Sequence, residues 1–184
     1  MIIIPSVKNH QEAKQMATNK AFNGKTMLEK GSGQYAGNLA ELVFKDILDI
    51  KRLEHDYTAS TSYHFDFKIG KATIDLKAKQ RTVDCRPTYD THVNLYQKDY
   101  PCHYYVFASV FIPKGEELAS KVQFMGWCRK SDYWSTCQIK RKGDNSDGLI
   151  EREDGGKKKY NELQKMDSLF NNIETHLYQL TFGE

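Results

Sequence analysis

Long apolar runs are missing from this chain of 184 residues. The longest, Tyr104–Ile112, reaches about half of the ~20 residues a membrane-spanning helix needs, so no span is expected. A secretory signal is not expected either, because apolar Met1–Pro5 runs at once into polar Ser6–Gln15. Cysteine is sparse, at positions 85, 102, 128 and 137, and no Cys-x-x-Cys pair occurs. Free thiols in a reducing cytoplasm are the expectation, and a zinc centre built on Cys102–His103 or Cys128/Cys137 is not. Histidine-rich metal spacing and internal repeats are absent too. Charge of one sign is not in large excess: 27 basic residues against 24 acidic ones give +3.

What is present describes a folded, soluble domain. Aromatic residues make up 12%, hydrophobic residues 39% and charged residues 28%, with a mean hydropathy of -0.69. Such aromatic content argues against disorder. The length suits a single domain with a sizeable core. Basic residues gather in two places. Lys68, Lys71, Lys77, Lys79, Arg81 and Arg86 face only Asp75 and Asp84 between Phe67 and Arg86. Lys121, Arg129, Lys130, Lys140, Arg141 and Lys142 face only Asp132. If the two segments converge, they suit a polyanion.

Patterning predicts a polar helix over Asn9–Phe22, a break at Lys30–Gly33 and an amphipathic helix over Gln34–Lys51. Leu53–Ser62 reads as a connection with room for a short strand. Strands follow over Tyr63–Ile69 and Ala72–Gln80, then a polar stretch, Thr88–Tyr100, with a short helix capped by Asp90 or Thr91. His103–Ile112 has the β-branched and aromatic content of a central strand buried on both faces. Lys121–Trp127 reads as another strand, Ser131 as the cap of a short helical turn, Gly143–Lys159 as a mobile charged loop or hairpin, and Tyr160–His176 as a last amphipathic helix. This order predicts a mixed α/β fold, a mixed central sheet flanked by helices. Three parts of one domain are expected: an N-terminal helical extension over 1–33, a core over 34–142, and a charged loop with a C-terminal helix over 143–184.

The hairpin carries the chemistry. Gly70-Lys71 suits a two-residue type II′ turn, which sets Ile69 opposite Ala72 and makes every opposed pair sum to 141. Asp66 then faces Asp75, and His64 faces Lys77. With a period of two, Tyr63, Phe65, Phe67, Ile69, Ala72, Ile74, Leu76 and Ala78 share an apolar face. The polar face holds His64, Asp66, Lys68, Thr73, Asp75, Lys77 and Lys79. Opposed like charges destabilise a strand pair by up to about 1 kcal/mol. A divalent cation reverses that sign, and Mg²⁺ binds through one or two carboxylates plus substrate phosphates. Glu41, on one helical stripe with Gly37, Phe44 and Leu48, points partly toward the core; the competing reading is an i,i+4 pair with Lys45.

Asp66 and, nine positions on, Asp75-Leu76-Lys77 resemble the motif of the PD-(D/E)XK nuclease superfamily. The preceding helix with Gly37-Asn-Leu-Ala-Glu41 is similar to that superfamily's first helix, and the element order resembles its restriction-endonuclease-like αβββαβ core. The resemblance spans roughly Gln34 to Trp134. It implies metal-dependent hydrolysis of phosphodiester bonds, with DNA as the favoured partner and RNA left open, and with endonuclease favoured over exonuclease. Asp66 and Asp75, with Glu41, would hold Mg²⁺, for which Mn²⁺ would substitute, and Lys77 would assist the water nucleophile. Lys79, Arg81, Arg86, Arg129 and Lys130 would grip the nucleic-acid backbone. A homodimer would suit double-strand cleavage. Small stand-alone members are common on phages, which implies work in the host cytoplasm. The rival reading is a non-catalytic nucleic-acid-binding module on the same fold.

Overall fold

Continuous apolar character places one strand at the centre of a sheet, and alternation places its neighbours around it. The computed structural model describes residues 1–19, 32–58, 64–146 and 149–173. In chain order the elements are β1 (Ile2–Ile3), α1 (Val7–Asn19), α2 (Ser32–Ile50), β2 (Asp56–Tyr57), β3 (Phe67–Ile69), β4 (Ala72–Arg81), β5 (Val93–Asn94), a 3₁₀ turn (Leu95–Gln97), β6 (Tyr104–Phe111), β7 (Lys121–Arg129), α3 (Lys130–Thr136), β8 (Gln138–Lys140), β9 (Asn145–Ser146), β10 (Leu149–Ile150), β11 (Gly155–Lys157) and a second 3₁₀ turn (Tyr160–Glu162). Residues 166–173 are helical and are called α4. The fold is mixed α/β. Six strands form one sheet in the order β1-β7-β6-β4-β3-β2, in which only β4 and β6 run parallel.

β6 is buried along nearly its whole length because each face meets a different core. On one face Val106, Ala108 and Val110 join Ile74 and Leu76 of β4 against Leu39, Phe44 and Leu48 of α2, and Leu169 and Phe170 of α4 close that layer. The Phe44 ring lies 5.1 Å from Phe67 and 5.7 Å from Phe124. On the other face Tyr105, Phe107 and Cys128 pack with Tyr133 of α3, Val93 and Tyr160. A small sheet of order β5-β11-β8 contributes to this second layer. No helix among the described residues is long and apolar enough to cross a membrane.

The hairpin register is the expected one: Ile69 pairs with Ala72, Lys68 with Thr73 and Phe67 with Ile74. Gly70 has φ 57°, while Lys71 is not at positive φ, which is the type II′ turn. Regular pairing stops there. The Asp66 N–H donates to the Ile74 carbonyl at 2.9 Å, the same Ile74 that pairs with Phe67, so Asp66 does not continue the ladder opposite Asp75. Past this break Phe65 leaves the apolar face and packs against the second core instead. Tyr63 lies outside the described residues.

Other expectations need correction. The short helix after Thr88 is a 3₁₀ turn with Asn94 at its N-cap, and neither Asp90 nor Thr91 caps it. Thr91 instead bonds the Tyr133 hydroxyl at 3.0 Å, and Asp90 forms a bridge with Lys159. Arg129, not Ser131, stands at the N-cap of α3, and Ser131 Oγ turns to Asp132 at 3.2 Å. The helix predicted from Tyr160 begins only at residue 166, and 174–176 lie outside the described residues. Within Gly143–Lys159 a hairpin does form between β9 and β10, but Gly155–Lys157 is a strand paired on both edges. Of the predicted Lys30–Gly33 break, Lys30 and Gly31 fall outside the described residues, as do 20–22 of the first helix, while Ser32 and Gly33 already belong to α2.

Candidate active site

β4 builds the site because its alternate residues leave the α2-side core. Thr73 and Asp75 are buried on the far face, followed by Lys77, Lys79 and Arg81 toward the strand end. Asp75 keeps only 5% of its surface exposed. Its Oδ2 lies 2.7 Å from Lys77 Nζ, an ion pair between residues two apart on one strand face. Asp66, one residue before β3, reaches across the hairpin. Its Oδ2 accepts the Leu76 N–H at 2.7 Å, a backbone donor between the two motif residues of β4. The break in the ladder therefore brings a carboxylate to the motif.

Glu41 comes from α2 and is buried. The Tyr57 hydroxyl of β2 donates to its Oε2 at 2.9 Å. Lys45 pairs with Asp49 at 2.6 Å, so the i,i+4 pairing on this helix involves Asp49. Tyr57 belongs to the site although no sequence signal marked it: two residues of strand have no pattern, and their place follows from pairing with β3.

The electrostatics are those of crowded carboxylates. Burial first, then Glu41 and Asp75, raise the Asp66 pKa well above its ordinary value, against the Leu76 N–H and Lys77. Burial also raises Asp75, and Lys77 and then Lys130 act against it. Burial first and then Glu41 raise the Tyr57 hydroxyl, which keeps it a proton donor to that carboxylate. Burial and crowding thus disfavour the charged forms of these acids, and a cation would favour them.

The donors are hard oxygens, which suit Mg²⁺ and not a soft metal. Among the described residues no group of three or more His, Cys, Asp or Glu is placed to hold a metal ion. An ion here would rest on two carboxylates, Asp66 and Asp75, completed by water and substrate phosphate, with the Tyr57-bound Glu41 adding its charge beside Asp66.

The other candidate residues spread along the sheet. Lys130, at the start of α3, donates to the Tyr100 carbonyl and is near enough to Asp75 to lower its pKa. Arg129 ends β7 at the level of Tyr104, beside the carboxylates' end of β4. Arg81 ends β4 at the other extreme, with its guanidinium 4.8 Å from the Tyr89 ring centre and 5.8 Å from that of Tyr160. Lys79 lies between, and Arg86 is exposed. Compared with family models, curated proteins and solved structures, the chain gives no match.

Proposed function

We propose that this chain is a Mg²⁺-dependent nuclease that hydrolyses phosphodiester bonds in DNA on a restriction-endonuclease-like core. The observation that carries the reading is the convergence of Asp66, Asp75 and Lys77 through the Leu76 N–H and the Asp75–Lys77 ion pair. The element order supports it in part: α2, β2, β3 and β4 lead to β6, but the short β5 and a 3₁₀ turn stand where an α, β, β, β, α, β core has a helix.

Asp66 and Asp75 would hold Mg²⁺, which supplies polarisation of a phosphoryl oxygen and a lowered pKa of bound water. Lys77 supplies what a carboxylate cannot. Its ammonium, fixed by Asp75, stabilises negative charge on the phosphate and orients the attacking water. Leu76 fixes Asp66 through its backbone, and Tyr57 fixes Glu41, so each acid is held before substrate arrives. The alternative, a binding module without catalysis, is disfavoured by the presence of all three motif groups in one place.

Incubation with supercoiled plasmid, linear duplex and single-stranded DNA, in Mg²⁺, Mn²⁺ or EDTA, tests the reading. Cleavage with either metal and none in EDTA is expected. Lys77→Ala should abolish cleavage and keep the metal-induced rise in melting temperature, since an ammonium has no lone pair for a cation. Wild-type rates in Lys77→Ala would remove Lys77 from the mechanism, and equal cleavage in EDTA would overturn the metal dependence.

A further inference from the structure

Positive charge does not end where β4 ends. β11 and the residues after it carry Gly155-Gly-Lys-Lys-Lys159. Gly156 lets this strand sit hard against α3: a Cβ there would stand 2.8 Å from Cys137 Sγ and 2.9 Å from the Trp134 ring. Held between β5 and β8, the strand delivers Lys157, Lys158 and Lys159 to a cleft of about 280 Å³, where Lys140 of β8 joins them.

The carboxylates at this cleft order the lysines without matching them. Asp90 holds Lys159 at 3.0 Å, Glu162 lies 3.8 Å from Lys158, and Glu151 pairs with Lys157. Thr136 Oγ1 also accepts from Lys158 Nζ at 2.7 Å. Lys140 has no carboxylate partner among the described residues. The cleft connects to the strand that carries the site. The Arg81 guanidinium that ends β4 lies 4.8 Å from the Tyr89 ring centre and 5.8 Å from that of Tyr160, the chain neighbours of Asp90 and Lys159, which are bridged to each other. Lys157 and Asp90 also line the cleft. Alternate residues on one strand face are about 6.6 Å apart, so Asp75, Lys77 and Lys79 form a line of charge running toward Arg81 at the strand end. Neighbouring phosphates on a nucleic-acid strand repeat at a comparable step.

We propose that the lysine cleft between α3, β8 and β11 is a phosphate-binding subsite that seats the backbone of a nucleic-acid strand a few nucleotides from the bond facing Asp66, Asp75 and Lys77. The inference rests on the nuclease reading for which bond is cut, not for the cleft's own chemistry. Its lysines contact phosphate and carry no base code, so the subsite sets affinity and register.

The test is fluorescence anisotropy in EDTA over a salt series, with a labelled dinucleotide and a labelled dodecanucleotide, both single-stranded. Lys140→Gln with Lys159→Gln removes two charges from the cleft, and Lys8→Gln with Lys114→Gln removes two exposed charges elsewhere. For the dodecanucleotide, the cleft variant should flatten the slope of log affinity against log salt by about 1.4, two phosphates at about 0.7 each. The dinucleotide, with a single phosphate, should lose at most about 0.7, and the control variant should keep the wild-type slope. Lys140→Gln alone, which breaks no ion pair, should give half the change and serves if the double variant does not fold. An unchanged slope, or an equal fall in the control, overturns the subsite. Inorganic phosphate that raises the wild-type melting temperature while the dodecanucleotide slope stays unchanged in the variant assigns the cleft to free phosphate and also overturns it. Plasmid cleavage by wild type is read separately. Cleavage without the slope change removes the cleft alone, and the slope change without cleavage keeps the cleft and removes the enzyme.

Discussion

Asp66 and Asp75 are the same residue type on one hairpin, yet they are held differently. Asp75 has a cation 2.7 Å away, whereas Asp66 accepts a backbone N–H and, with Lys77 acting on it more weakly, faces Glu41 and Asp75. Its folded-state pKa stands well above the ordinary 3.8. Between those two values the folded chain binds more protons than the unfolded one, so stability falls as pH rises through that window and the penalty is complete above it. Asp66→Asn removes the titrating group and keeps an oxygen to accept the Leu76 N–H. In EDTA the variant should melt close to wild type near about pH 4 and above it near about pH 8. Thermal melts across that range check this, and parallel curves for the two proteins would show that Asp66 is not strained. Asp75 and Lys77 were legible in the sequence because a hairpin is local, Gly70 setting the register and a period of two the face, whereas Asp66, past the break in the ladder, was marked by the motif and not by the register. Tyr57 was not legible, since it arrives from an element whose position depends on pairing with β3, and Lys130 was legible only as part of a basic segment, its nearness to Asp75 being set by distant pairing.

At the scale of elements, strongly periodic segments appear where expected, and short or bridged ones do not. α2 and β6 carry long patterns of a single period. The segment from Tyr160 carries a helical pattern too, yet its first part is pulled straight by β7. Trp127 N–H donates to the Gln164 carbonyl at 3.0 Å, and Gln164 N–H donates back at 2.9 Å. Two backbone bonds made across the fold, with the Trp127 indole donating to the Lys165 carbonyl at 3.0 Å, outweigh a weak local helix preference. This docking depends on Gly126, at φ 153°, beside a register shift in the β6–β7 ladder. A Cβ there would lie 2.6 Å from the Gln164 carbonyl oxygen and 2.7 Å from Leu163 Cβ. Neither can step aside alone, because the backbone of Gln164 is tied to Trp127. Gly126→Ala should therefore destabilise the chain by about 1–3 kcal/mol, as overpacking does. Urea unfolding measures it, and an unchanged midpoint would mean that the 163–165 bridge is not held against β7.

Across the whole molecule, the central sheet separates two cores, and the polar face of β4 opens on the side of the second. That arrangement brings the two basic segments of the sequence together. β4 and β7 flank β6, and Lys121 Nζ, from the second segment, meets Asp84, from the first, at 2.5 Å. The ladder also orders the charges. Ile74, Tyr104 and Arg129 lie level at one end, and Arg81, Phe111 and Lys121 lie level at the other. Lys130 therefore stands near Asp75, and Arg129 ends β7 level with that end of the sheet; on the proposed nuclease reading both would meet the incoming phosphate. Replacing both by alanine should weaken nucleic-acid binding about equally across sequences, because side chains that bind phosphate carry no base code. The salt slope should fall by about 0.9 for each duplex phosphate left without its cation, or by about 0.7 on a single strand. Anisotropy titrations on several unrelated sequences, in EDTA and over a salt series, measure both effects. Weakening confined to one sequence would make these residues base readers, and an unchanged slope would leave them ordinary surface charge. Only in the second case would the path of the strand across β4 be drawn without them.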